Sequence, residues 1–367
     1  MQIRLQTFTV HKRFALTISR GTNTGNTNIW IAIAHENIEG WGEASPFDVG
    51  EAQTTEMLLA ALTEIALHLE QYSPLDRQQI EQVCIGANLP SAARAAIDMA
   101  LYDWLGKRVG LPLWQLWGLS RQSIVPTSVT VGISSPENAR KRVQHWQEVT
   151  SVRCLKVKLG SPEGIESDRA MLQAVREEAP PDALIYVDAN GGWNLEDALL
   201  MCNWLGELGI RYIEQPLPKG QEQDLEILYA RSPLPIFVDE SCFTSQDIPK
   251  LADKVHGINI KLMKAGGLTE ALRMVHAAKA CGLQIMFGCY SDSSLANTAA
   301  AQLAPFADYL DLDSHLNLLD DPFSGATLQE SKLIPNDLPG LGVTRGEEPS
   351  PQEQAIAKSR DRRLMID

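Results

Sequence analysis

Five short segments, LKVKLG, YVDAN, IEQP, FVDES and INIKLMK, each run from apolar residues into a lysine or a carboxylate, placing Lys158, Asp188, Glu214, Asp239 and Lys261 at successive strand ends. They recur roughly 25 residues apart, the length of one strand plus one helix. A solvated face would scatter its charges around each helix. One charge per unit, always at the end of the strand, marks a site.

The carboxylates Asp188, Glu214 and Asp239 fall on the third, fourth and fifth strands of such a series, so their side chains converge. Three anions so placed repel one another by roughly several kcal/mol unless something positive sits among them. Oxygen donors without His or Cys select a hard cation, Mg2+ before Mn2+. Helix capping or a lysine partner explains any one of these residues alone, but not three in register.

Lys156 and Lys158 lie two apart on one strand and point to the same face, where mutual repulsion and a nearby cation are expected to lower their pKa values toward the working pH. A neutral amine can act as a base. Lys261 ends the sixth strand, opposite the second in an eight-stranded barrel, so a carbon held between them meets an amine on each face. Lys264, in the turn MKAGGL, reads as a loop or helix-entry residue. In YLDLD, Asp311 and Asp313 alternate and face inward; they are expected to be exposed, across the barrel from Glu214 and too far away to join its metal shell. Such a pair suits a substrate with an anion at one end and an ammonium at the other, a span of about 5–7 Å in a dipeptide.

The elements that carry these residues follow from pattern. Residues 2–43 read as strands interrupted by the turn-rich RGTNTGNTN, taken as a mobile loop. Helical spacing covers about 51–72, and a further helix is announced by Pro90-Ser91 and stopped at Gly110. This gives an α+β capping domain over 1–120. From Val125 onward short strands and helices alternate: PTSVTVGI, VRCLKVKL, ALIYVDA, IRYIEQ, PIFVDE, HGINIKL, LQIMFGC and DYLDLD. The pattern predicts an α/β fold, a (β/α)7β modified TIM barrel over 121–325, with no eighth helix after Asp313. Residues 326–367 are expected to return to the capping domain.

Bulk properties exclude several partners. A net charge of −14 repels nucleic acid and anionic membrane surfaces. No apolar run approaches the roughly 20 residues that span a bilayer, and the start lacks a signal-peptide core, so a cytoplasmic enzyme is expected. The six cysteines have no CxxC spacing and read as buried, reduced thiols. Trp114 and Trp117 fit a homo-oligomer interface or inter-domain packing equally well.

Taken together, GWGEASPF and AARAAIDMALYD in the first unit, then LKVKLG, VDAN, IEQP, VDES, INIKLMKAGGL, MFGCYSDSS and YLDLD, resemble the enolase superfamily in its muconate-lactonizing subgroup, and within it the dipeptide epimerases. The resemblance implies that Asp188, Glu214 and Asp239 bind Mg2+, which holds the substrate's C-terminal carboxylate, and that Lys158 and Lys261 are the opposed acid and base. It gives Lys156 the task of neutralising the carboxylate and tuning Lys158. Asp311 and Asp313 would hold the α-ammonium group of a dipeptide, with Thr130 and Cys289 as further substrate contacts. The implied reaction inverts the α-carbon of the C-terminal residue by 1,1-proton transfer through an enediolate, a use of lysine bases and Mg2+ for which enolase-type sites are the standard example. Arg20 stands where members selective for Ala-Glu carry an arginine, whereas Asn23 and Thr24 replace a second basic residue of some members, and Asp292 lies where many have Glu. The second residue of the dipeptide therefore stays open among acidic, polar and apolar. An N-acylamino acid racemase or o-succinylbenzoate synthase would share the lysines and metal carboxylates without needing Asp311 and Asp313; a non-catalytic metal-dependent ligand-binding barrel would not need paired lysines.

Overall fold

The computed structural model describes residues 1–346. An antiparallel sheet of β1 (Gln2–Ile18), β2 (Gly21–His35) and β3 (Ile38–Ala44) opens the chain, followed by helices α1 (Thr55–Leu69), α2 (Arg77–Gly86), α3 (Ser91–Val109) and the short α4 (Leu113–Leu116). Thr54 caps α1 by accepting from the Met57 N–H, and Gly110 ends α3 at φ 73°, a conformation open to glycine at little cost. The alanine-rich face of α3 lies directly on β3: a Cβ at Gly42 would stand 1.9 Å from the Ala96 carbonyl oxygen, so only glycine permits this approach.

Two features of this unit differ from the sequence expectation. RGTNTGNTN is not a loop: β2 begins at Gly21, and its Gly-, Asn- and Thr-rich half pairs with β1 in a long hairpin. Pairing with a strand of 17 residues overrides the poor strand propensity of those residues. The pattern also missed α2, whose apolar residues Ile80, Val83, Cys84 and Ile85 are too bunched to show a full helical repeat.

The barrel then alternates β4 (Val129–Val131), α5 (Pro136–Val149), β5 (Cys154–Lys158), α6 (Ile165–Glu178), β6 (Leu184–Asp188), α7 (Leu195–Glu207), β7 (Ile213–Glu214), α8 (Leu225–Arg231), β8 (Ile236–Val238), α9 (Ile248–Leu251), β9 (Gly257–Ile260), α10 (Leu262–Ala265), α11 (Leu268–Ala280), β10 (Gln284–Gly288), α12 (Ser294–Ala301) and β11 (Tyr309–Asp311). All eight predicted strands pair in parallel in chain order, and a parallel bridge between Thr127 and Leu310 closes the ring. Among the described residues β11 is followed by a 3-10 turn at Ser314–Asn317 rather than an eighth α-helix, which gives the (β/α)7β form.

Period-two alternation sorts the inward side chains into layers. Cys154, Tyr186, Tyr212, Phe237 and Met286, with Tyr309 against them, form an aromatic floor in which Tyr212 lies 4.7 Å from Tyr186, 4.9 Å from Phe237 and 4.8 Å from Tyr309 between ring centroids. Gly257 leaves room for the Phe237 ring, which a Cβ there would meet at 2.2 Å. Two residues further along five of these strands stand Lys156, Asp188, Glu214, Asp239 and Asp311. The floor therefore lifts the charges to the carboxyl-terminal mouth.

After β11 the chain crosses back over the capping unit through β12 (Phe323–Ser324), β13 (Thr327–Gln329), β14 (Lys332–Ile334) and β15 (Thr344–Arg345). Phe323 meets Phe8 edge-on at 5.4 Å, and the Leu341 N–H donates to Asp103 Oδ1 at 2.8 Å. The part of the expected C-terminal segment after residue 346 lies outside the described residues. Trp114 donates to the Asn336 carbonyl and Trp117 packs edge-on against Tyr102, so both pack within the chain.

Candidate active site

At the barrel mouth four lysines and four carboxylates interlock, all buried. Lys158 Nζ donates to Asp188 Oδ2 at 2.6 Å; Lys261 Nζ donates to Asp239 Oδ2 at 2.7 Å. Lys156 Nζ, with no exposed surface, donates to Asp311 Oδ2 at 2.7 Å, touches Glu214 Oε2 and lies 3.8 Å from Asp188 Oδ2. Asn190 fixes Asp188 through its backbone N–H at 2.8 Å, and Asn259 donates to Glu214 Oε1 at 2.7 Å.

The sequence reads Lys264 as a loop or helix-entry residue past the strand end, and it does lie on the one-turn helix α10, but not as a peripheral group. It is instead fully enclosed, and its Nζ donates to Asp239 Oδ1 at 2.6 Å, to the Asp239 carbonyl at 2.5 Å and to the Asn259 carbonyl at 3.0 Å. The signal was present in its spacing: three residues after Lys261, on the single turn of α10, a side chain returns to the same face.

The second correction concerns β11. Asp311 and Asp313 are buried rather than exposed, and Asp311 shares the Lys156 ammonium with Glu214, so the two carboxylates are neighbours and not distant partners across the barrel. Barrel closure explains this, because Leu310 of β11 bridges to Thr127, just ahead of β4, and brings Asp311 toward β5. Ser128 Oγ donates to Asp311 Oδ1 at 2.7 Å, and the Thr130 N–H donates to Asp313 Oδ2 at 2.7 Å. Thr130 thus holds Asp313 through its backbone. Cys289 Sγ donates to the Asp311 carbonyl at 3.2 Å, and burial, followed by the charge of Asp313, pushes its thiol up to about 12, so it stays protonated.

Electrostatics at the mouth reflect these pairings. Burial alone would lower the Lys156 pKa, but the charges of Asp311 and Glu214 outweigh it and raise it well above the usual lysine value. Lys261 is likewise raised, Asp239 overcoming burial. Asp239 is held far below the usual carboxylate range despite burial, by Lys261 and then Lys264. Glu214 moves the other way, up to about 7, through burial and then repulsion by Asp188.

That difference bears on a cation. Among the described residues no group of three His, Cys, Asp or Glu side chains is drawn together on one point, because Asp188 and Asp239 each face their own lysine. Yet the donor set is all oxygen, carried on three adjacent strand ends, with Asp188 directly beside Glu214 in the β6–β7 register. Of the six carboxylate oxygens, Glu214 Oε2 is the buried one without hydrogen-bond geometry to any partner. That oxygen does touch the Lys156 ammonium, and an all-oxygen acidic pair in register on adjacent strand ends fits a hard divalent ion.

Above the charges lies a cavity of about 460 Å3 lined by both Lys158 and Lys261. Arg20 and Cys289 line it too, as do Leu16, Ile18, Phe47 and Tyr290 from the hairpin and the β3–α1 and β10–α12 connections. Lys156, Thr130, Asp311 and Asp313 are buried and absent from the lining. Tyr290 stacks on Phe47 at 4.7 Å and carries the Lys261 ammonium 4.4 Å from its ring centroid. Arg20 Nη1 donates to Glu240 Oε1 at 2.8 Å and to the Asn190 carbonyl at 2.9 Å.

The description "Mandelate racemase / muconate lactonizing enzyme, N-terminal domain" matches residues 3–118, and "Enolase C-terminal domain-like" matches residues 138–348. The chain belongs to this enolase-superfamily family. It is 45% identical to a hydrophobic dipeptide epimerase of Roseobacter litoralis over 93% of this chain and 98% of that protein. It is 43% identical to a protein of the same name from a Flavobacteria bacterium, over 95% and 99% respectively. The solved dipeptide epimerase of Cytophaga hutchinsonii, complexed with Mg and the dipeptide D-Ala-L-Val, superposes with a TM-score of 0.90 at 27% identity, over 95% of this chain and 96% of that one. The family resemblance read from the strand-end residues is thereby borne out.

Proposed function

We propose that this chain is an isomerase, a Mg2+-dependent dipeptide epimerase that inverts the α-carbon of the C-terminal residue and prefers an apolar side chain there. The observation that carries the reading is the pair Lys158 and Lys261, each anchored by its own carboxylate and both facing one dipeptide-sized cavity. A carbon between them loses its proton to one lysine and receives a proton from the other on the opposite face, and the lysines exchange roles when the other epimer binds. Two bases are needed only where a stereocentre is inverted without loss of a group.

Asp188, Glu214 and Asp239 would hold the metal, whose bound charge stabilises the second negative charge that develops next to the substrate carboxylate. Lys156 adds a fixed ammonium beneath the same point. Asp313, one oxygen of which is held by the Thr130 N–H, and Asp311 supply the negative charge for an α-ammonium group.

Support for an apolar side chain comes from Leu16, Ile18, Phe47 and Tyr290 on the cavity wall and from Arg20, whose guanidinium is committed to Glu240. The names of the two relatives agree with this preference. A panel of L-Ala-L-Xaa dipeptides, with N-acetyl amino acids as a second arm, incubated with Mg2+ in D2O tests it. Deuterium at the C-terminal α-carbon with appearance of the L-Ala-D-Xaa product, strongest for Leu, Phe and Tyr and abolished by EDTA, is expected. Exchange of N-acetyl amino acids alone would refute a dipeptide substrate.

A further inference from the structure

A second cavity, of about 280 Å3, lies between the capping unit and the barrel and shares no lining residue with the lysine cavity. Arg77 and Arg94 enter it from α2 and α3, and Arg273 from α11. Three carboxylates also line it, and each is already engaged. Glu81 receives both guanidinium nitrogens of Arg273, at 2.5 and 2.8 Å. Glu270 takes the Ser245 N–H at 2.8 Å and its hydroxyl at 2.7 Å, and Asp98 takes the Thr269 N–H at 2.8 Å and its hydroxyl at 2.6 Å.

The two remaining arginines stand apart. Arg77 lies 4.4 Å over the Tyr102 ring, and neither it nor Arg94 forms an ion pair among the described residues. Arg94 Nε is buried with no hydrogen-bond partner at all. A buried guanidinium donor without an acceptor is costly. Glu81 bears on Arg94 and Asp98 on Arg77 through space, but both carboxylates are engaged by Arg273 and Thr269 and neither closes to an ion pair with these two arginines among the described residues. Ile80, Ile97 and Leu101 form an apolar part of the wall, and Thr244, Gln246 and Thr269 a polar part.

We propose that this cavity binds a small organic oxyanion with an apolar body, a carboxylate or a phosphate monoester, whose head is held by Arg94 and Arg77 and whose body rests on Ile80, Ile97 and Leu101. Arginine forks suit either head. The guanidinium of Arg94 lies against Gly266, where a Cβ would meet it at 3.3 Å, so the ligand links cap helices to the turn that follows Lys264.

Titration calorimetry of the full chain in a phosphate-free buffer, with benzoate, phenyl phosphate and inorganic phosphate as probes, tests this. One site per chain is expected, tighter for benzoate or phenyl phosphate than for inorganic phosphate, and weakened about tenfold or more in both Arg94→Gln and Arg77→Gln. Preference for benzoate assigns a carboxylate ligand, preference for phenyl phosphate a monoester. Should Arg94→Gln not fold, Arg77→Gln decides alone, since that side chain stacks on Tyr102 and forms no ion pair among the described residues. No binding of any probe, or unchanged affinity in the variants that fold, overturns the proposal.

Discussion

Arg20 of the capping hairpin donates to Glu240, the residue after the Asp239 carboxylate, at 2.8 Å. A guanidinium satisfied by its own chain is a weak anchor for an acidic substrate side chain. Releasing it should therefore change selectivity. In Glu240→Gln the kcat/KM for L-Ala-L-Glu relative to L-Ala-L-Leu should rise about tenfold, a change of about 1.4 kcal/mol. The ratio is read from initial rates of deuterium exchange, and an unmoved ratio removes Arg20 from substrate selection.

Lys158 and Lys261 make separable contributions. Replacing either by alanine should lower epimerisation by at least about a thousandfold. Each variant should still exchange the α-hydrogen of one epimer, because the remaining lysine can remove and return a proton on its own face. NMR of separate L,L and L,D dipeptides in D2O should show opposite preferences in Lys158→Ala and Lys261→Ala. Equal loss of both exchanges in each variant would refute the assignment of one lysine to each face.

Lys264→Met removes a buried ammonium that binds Asp239 twice. Asp239 keeps Lys261 but loses half of its compensation, and breaking such a pair costs about 3 kcal/mol. Urea unfolding followed by circular dichroism should show a lower midpoint with an unchanged slope. A stability equal to that of the parent chain would mean that Lys264 is energetically idle.

Asp98 gives the fold a pH dependence of defined sign. Burial, the first cause, pushes its folded pKa from 3.8 up to about 6, against the pull of its hydrogen bonds from Thr269. Between those values the folded state binds more protons than the unfolded state, so this group's contribution falls as pH rises through the window and is level above about 6. Asp98→Asn removes the titration. The difference in unfolding free energy between parent and variant should change with pH from 4 to 6 and stay constant from 7 to 8, as measured by urea melts.

Much of this architecture was legible because the barrel repeats one physical instruction: an apolar run that must be buried, followed by a charge at its end. Lys156, Lys158, Asp188, Glu214, Asp239 and Lys261 all obey it. What stayed hidden depends on pairings between distant segments. Nothing near Arg20 announces Glu240, and nothing near Asp311 announces that closing the ring brings it to Lys156. Lys264 was obscured by the glycines after it, which draw attention to the turn and away from the side chain. The Gly- and Asn-rich start of β2 has the composition of a loop, and only its long partner strand makes it a ribbon.

The ring closes through Thr127 and Leu310, and Asp313 takes its place from the Thr130 N–H, so both ends of the barrel segment must be present before either contact exists. During synthesis the paired amines emerge well before the last strand. A nascent chain halted short of residue 309 would own Asp188, Glu214 and Asp239 yet have an open seam beside Lys156, so a complete mouth waits for the last strand of the ring.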